Sequence, residues 1–162
     1  MIIRNLQKGD LKAIENIFSL YWSEEEFREK LTSRLKSSIN NDSYSIKQGL
    51  KYLVAEDNGE VVGVIGFRKT PKHMIEFVKT EKPAELYIMA VKNRGSGIGR
   101  ALIQKALEKI KSFGYTETVH YSGDTHQDSW GFYDHLGFER VGPALAPNGE
   151  PGQIWRMSLV EK

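Results

Sequence analysis

The chain contains no cysteine. That excludes a disulfide framework, a thiolate metal site and any route through an acyl-cysteine. The four histidines, His73, His120, His126 and His135, show no metal-ligand spacing, so no metal is expected. Charge of one sign is not in excess either. Against 23 basic residues stand 21 acidic ones, a formal net charge of +2 that marks neither a nucleic-acid nor an acidic-membrane partner. No apolar run approaches a membrane span, and the opening MIIRNLQKGD lacks a signal-peptide core. A cytoplasmic protein with no membrane and no nucleic-acid partner is the expectation. Repeats and low-complexity tails are missing too, and 162 residues suit one domain, residues 1–162, around one core.

What the chain does have is a concentration of glycine. Residues 86–91, LYIMAV, read as a strand, and Arg94-Gly95-Ser96-Gly97-Ile98-Gly99 follows. A helix starts inside that run, with Leu102, Ile103, Ala106, Leu107, Ile110 and Phe113 on one face and Gly114 as its stop. The first turn of a helix presents unpaired N–H groups and the positive end of the dipole. Gly95, Gly97 and Gly99 remove the side chains that would keep an anion away from those amides, and Arg94 and Arg100 add positive charge. The stretch reads as a pyrophosphate cradle. A P-loop would need Lys-Ser/Thr after the last glycine, where Arg100-Ala101 stand, and the spacing G-x-G-x-G misses the dinucleotide fingerprint.

The remaining elements follow from pattern. Residues 2–6 read as a strand, and Asp10 as the cap of a helix through Leu11, Ile14, Ile17, Phe18 and Tyr21. Ser23 with Glu26 has the form of a capping box before a second helix through Phe27, Leu31 and Leu35, whose charges suit a solvated face. Polar residues 37–45 read as the mobile segment of the first half. Residues 51–57 and 60–68 form a hairpin about Asn58-Gly59, and Gly63 and Gly66 mark a bulge or a close backbone approach. Residues 69–83, with Met74, Ile75, Phe77 and Val78, are either a specificity loop or a longer hairpin. Residues 116–121 read as a strand parallel to 86–91, joined by the intervening helix as a right-handed crossover. A polar turn at 122–128, a short helix at 129–136, a strand at 137–141, a loop at 143–152 and a last strand at 153–160 complete the chain.

The run Arg94 to Gly99 fits R/Q-x-x-G-x-G/A, and Phe132-Tyr133 with Gly137-Phe138 fits F-Y-x-x-x-G-F, in that order. The pair resembles the two signatures of the GNAT superfamily of N-acetyltransferases, and with the flanking elements the likeness covers essentially the whole chain. The resemblance implies an α+β fold, a mixed sheet of about seven strands flanked by about four helices and splayed between strands 4 and 5. It implies acetyl-CoA as co-substrate, with backbone groups of Met89, Ala90 and Val91 along the pantetheine arm. Arg94, Gly95, Ser96, Gly97, Ile98, Gly99 and Arg100 would then lie around the diphosphate. Where the family often has a cofactor-contacting Asn, this chain has His126, which can still donate a hydrogen bond. Tyr133 becomes the candidate general acid, against a plain core tyrosine. Glu85 becomes the candidate base, against an exposed charge at the strand start, with His120 and Asp124 as runners-up. The implied reaction is acetyl transfer to a primary amine of a small molecule or peptide by direct attack in a ternary complex. The alternative is a non-catalytic acyl-CoA sensor on the same fold. A homodimer would be in keeping with the family.

Overall fold

A computed structural model of the chain describes residues 1–39 and 49–160. Among them seven strands build one mixed sheet: β1 (Ile2–Asn5), β2 (Lys51–Asp57), β3 (Glu60–Lys69), β4 (Pro83–Val91), β5 (Glu117–Gly123), β6 (Glu139–Leu145) and β7 (Pro151–Ser158). They lie in the order β1-β2-β3-β4-β5-β7-β6. The helices are α1 (Leu11–Phe18), α2 (Glu25–Ser38), α3 (Ile98–Ser112) and α4 (Trp130–His135).

Strand alternation divides the core between the two faces. Tyr52, Val54, Val64 and Ala90 pack under Ile14, Ile17 and Phe18 of α1 and Leu31 and Leu35 of α2. Leu53, Ala55, Ile65 and Leu86 meet Leu102, Ile103, Ala106 and Ile110 of α3 on the opposite face. Gly63 is required there, since a Cβ would come within 2.9 Å of Ile98 Cγ2. At the hairpin, Asn58 (φ 53°) and Gly59 (φ 79°) make the left-handed turn that matches strand twist.

The sheet comes apart in the middle. β4 and β5 pair in parallel only from Pro83 opposite Glu117 to Glu85 opposite Val119. Just beyond, the β3–β4 register skips Tyr87: Phe67 faces Leu86, but Gly66 faces Ile88. The bulge reverses the alternation of β4. Ala84, Leu86, Met89 and Val91 share the α3 face, whereas Tyr87, Ile88 and Ala90 belong to the α1–α2 face. From Leu86 onward the β5-facing edge of β4 has no strand partner among the described residues.

Several local expectations are corrected. Asp10 caps no α1 amide; both its oxygens take the guanidinium of Arg4 (2.8 and 2.9 Å), and it accepts the Gln7 amide at 2.7 Å. α2 begins at Glu25 after Glu24, with no Ser23–Glu26 box; the Ser23 carbonyl accepts from Arg28 instead. Of residues 37–45, Ser37 and Ser38 finish α2, and 40–45 lie outside the described residues. β4 starts at Pro83 rather than at 86, because Pro83 pairs with β5 and Ala84 and Glu85 pair with both β3 and β5 before the splay. The 143–152 stretch is mostly strand: Pro143, Ala144 and Leu145 pair with Gln153, Gly152 and Pro151, which shrinks the loop to 146–150. Proline is tolerated because β6 is the sheet edge. The turn at 122–128 is β5 running on to Gly123 and then a 3-10 segment, Asp124–Ser129, before α4.

Candidate active site

The splay opens a cleft of about 820 Å³ that runs from Glu85 to the start of α3. Its far end is the glycine turn. Gly95 (φ +78°) and Gly97 (φ +83°) hold left-handed conformations, and a Cβ on either would meet nothing within 4 Å. Open space stands over both. The first paired amide of α3 is Ala101, which donates to the Gly97 carbonyl at 3.1 Å. The amides of Ile98, Gly99 and Arg100 ahead of it are left at the positive end of the dipole. Gly99 plays a different part: it faces inward, with Met89 Cε 3.4 Å and Phe132 Cζ 3.6 Å from the position of a Cβ. Space, free amides and the exposed Arg100 together fit a diphosphate.

Other residues of the turn are engaged within the chain. Arg94 forms an ion pair with Asp128, donates to Ser129 Oγ at 3.0 Å and stands 5.6 Å from the Tyr21 ring centroid. It therefore links the two lips of the cleft. Ser96 Oγ donates back to the Asn93 carbonyl at 2.7 Å and rigidifies the bend. His126 lines the cleft and packs edge-on against Trp22, 5.9 Å between centroids. Along β4 the side chains of Met89 and Ala90 go into the core, which leaves the backbone as what 89–91 present. The Val91 carbonyl accepts the Tyr21 hydroxyl at 2.5 Å.

Tyr133 of α4 and His120 of β5 line the opposite wall of the cleft. The Tyr133 ring lies 4.3 Å from that of His120 and 5.2 Å from that of Trp155. Burial pushes the Tyr133 phenol up to about 12, with the charge of Arg94 opposing, so it is protonated at neutral pH. His120 is buried, stacked at 9° on Trp155, and neither ring nitrogen has a hydrogen-bond partner among the described residues. Burial takes its pKa down to about 3. Such a histidine is neutral and enclosed by aromatic rings. Asp124, the other runner-up base, heads the 3-10 segment and is exposed.

Glu85 is no exposed edge charge: only 5 % of it is accessible. It sits where β4 and β5 part, and Arg68, directly opposite on β3, donates to it from Nε at 2.5 Å. Burial raises its pKa, and the neighbouring Arg68 and Arg34 work the other way. Sequence reasoning passed over Arg34, Arg68 and Tyr87, which stand beside it. The guanidinium carbons of Arg68 and Arg34 lie 4.6 and 5.2 Å from the Tyr87 ring centroid, and Arg34 also donates to the Tyr87 hydroxyl. One signal was available: Arg34 follows the buried Leu31 by three positions and so shares its inward flank of α2. The 69–83 connection joins antiparallel β3 and β4, and its 3-10 segment Lys72–Phe77 lends His73, Met74 and Phe77 to the cleft. The buried Glu117 carboxylate anchors it by accepting the amides of Lys79 (2.9 Å) and Thr80 (2.8 Å).

Among the described residues no cluster of His, Asp and Glu could hold a metal, and no helix is long and apolar enough to cross a membrane.

This architecture has counterparts. Human N-acetyltransferase 8B is 31 % identical over 105 residues, 64 % of this chain and 44 % of the human protein. The chain thus spans less than half the length of that relative. An aminoglycoside 6'-acetyltransferase type Ii superposes with a TM-score of 0.76 at 20 % identity, covering 100 % of this chain and 99 % of the other. An aminoglycoside 6'-N-acetyltransferase complexed with coenzyme A gives 0.75 at 17 % identity, with coverages of 100 % and 99 %. At these identities the structural likeness speaks for the fold. Residues 11–138 match the model of the acetyltransferase (GNAT) family, which takes in both glycine turn and Phe132-Tyr133 helix, and the chain belongs to that family.

Proposed function

We propose that the protein transfers the acetyl group of acetyl-CoA to a primary amine of a small molecule or peptide, by direct attack with both substrates bound. The observation that carries this reading is the edge of β4 that parts from β5 just after Glu85 and runs from Leu86 to the bare amides at the start of α3. Acetyl-CoA bound there supplies the activated thioester. The amides of Gly95, Ser96, Gly97, Ile98, Gly99 and Arg100, with the Arg100 charge, hold the diphosphate. The backbone of Met89, Ala90 and Val91 offers an extended edge to the arm. His126 and Arg94 close the lips of the cleft and limit the entry of water.

Glu85 is the proton acceptor for the incoming amine, directly or through a water. Its burial raises its proton affinity towards that of an amine. The Tyr133 hydroxyl carries the proton that the departing sulfur needs. With no cysteine in the chain, no acyl-cysteine intermediate is available, so direct attack is the economical path.

Calorimetry with acetyl-CoA, followed by thiol release in the presence of an amine panel, tests the proposal. Saturable binding plus amine-dependent thiol release is expected. Binding with no thiol release for any amine would assign the fold to an acyl-CoA sensor instead.

A further inference from the structure

We propose that Arg34 and Arg68 form a subsite for a carboxylate on the acceptor, so that the amine acetylated belongs to an amino acid or another amine with a nearby carboxylate. This rests on the transfer reading above and names the acceptor class for the same cleft.

The two guanidiniums flank one ring, that of Tyr87, at 5.2 and 4.6 Å, inside the cleft and next to Glu85. Two cations face one carboxylate. Arg68 uses its Nε on Glu85, whereas Arg34 forms no ion pair among the described residues and has only the Tyr87 hydroxyl. Burial and the charge of Arg68 both disfavour the protonated form of Arg34. A partly buried pair of like charges is held at a cost that an arriving anion removes. Arginine suits that anion geometrically, since its planar fork matches a carboxylate with paired N–H bonds.

The subsite is separate from the diphosphate cradle. Glu85 and Val91 are six residues apart on β4, which at strand rise is about 20 Å. Strand alternation puts Tyr87 on the same face as Glu85, opposite to Ala84 and Leu86, and Arg34 and Arg68 meet the Tyr87 ring there. An amine within reach of Glu85 thus has its carboxylate within reach of the two arginines. The same charges repel a polycation, so the polyamines and aminoglycosides are poor acceptors here.

The test compares acetyl transfer to free L-amino acids, the matching L-amino-acid amides, spermidine and kanamycin, in the parent protein, Arg34→Gln and Arg68→Gln. Free amino acids should exceed their amides in kcat/KM by about ten-fold or more. In either variant the loss on carboxylates should exceed the loss on amides by a similar factor. Equal or better turnover of the amides, spermidine or kanamycin overturns the subsite, as does an equal loss on both classes in both variants. If acetyl-CoA binds and no amine is turned over, the transfer reading fails, and calorimetry decides the subsite separately. Binding of free amino acids to the coenzyme A-saturated protein, weakened ten-fold in Arg34→Gln, sustains it; no carboxylate-dependent binding overturns it.

Discussion

Arg68 stands opposite Glu85 across β3 and β4, and its Nε holds the buried carboxylate at 2.5 Å. Two opposing influences meet there. Burial raises the Glu85 pKa, and Arg68 lowers it. If Glu85 accepts the amine proton, kcat/KM falls on the acidic side as Glu85 becomes protonated. Glu85→Gln should abolish that limb. Arg68→Gln removes the lowering influence, so the limb should move to higher pH. A pH–rate profile of both variants measures this, and an unmoved limb removes Glu85 from the reaction.

Tyr133 gives a cleaner separation of chemistry from folding. Its ring supplies packing against His120 and Trp155, while burial is what raises the pKa of its hydroxyl. Tyr133→Phe keeps the ring and deletes the proton. Transfer should slow by roughly ten-fold or more, within the usual range for a general acid. Thermal stability and acetyl-CoA affinity should change little. Pre-steady-state thiol release and calorimetry on the same preparation read the two effects.

The parts of the fold set by local chemistry were legible in the sequence. Asn58-Gly59 announced its hairpin, and apolar spacing announced α3, with Gly114 (φ +89°) ending it as expected. The two glycine-bearing motifs marked the turn that lines one end of the cleft and the helix that carries Tyr133. What stayed hidden depends on register. The bulge at Tyr87 leaves no mark in LYIMAV, yet it decides which side chains share a face with Glu85. Arg34 fell among helix charges read as a solvated face, and Arg68 went unremarked, because their common neighbour, Tyr87, comes from a third element. Pro143 suggested that a loop begins there, but it lies on β6, an edge strand that needs only one of its sides for pairing. Asp10 has cap chemistry, and Arg4 took its carboxylate instead.

Gly97 and Gly99 should respond differently to the same substitution. Gly97 has φ +83° with open space at its Cβ position. Gly97→Ala therefore costs roughly 1–2 kcal/mol in backbone strain and places a methyl where the diphosphate would approach. Gly99 is helical, and its Cβ would meet the flexible end of Met89 at 3.4 Å. Gly99→Ala should weaken acetyl-CoA binding far less than Gly97→Ala. Calorimetric titration alongside thermal melts checks this; equal affinities for both variants and the parent would place the diphosphate elsewhere.

His120 makes stability depend on pH independently of any substrate. Folded, it is enclosed by Tyr133, Phe138 and Trp155 with a pKa of about 3, from burial. Unfolded, it titrates near 6.5. Above the unfolded value the ring is neutral in both states and adds no slope. Between the two values the unfolded chain takes up a proton that the folded one refuses, so stability falls as pH falls, by about 1.4 kcal/mol per pH unit for this group. The loss ends below the folded value. His120→Phe replaces two unpartnered ring nitrogens with carbon at similar shape, which should be neutral or stabilising at pH 7. Urea melts between pH 4 and pH 7 should show a smaller drop in stability for the variant than for the parent. Parallel slopes would mean that the His120 ring takes up its proton without leaving the fold.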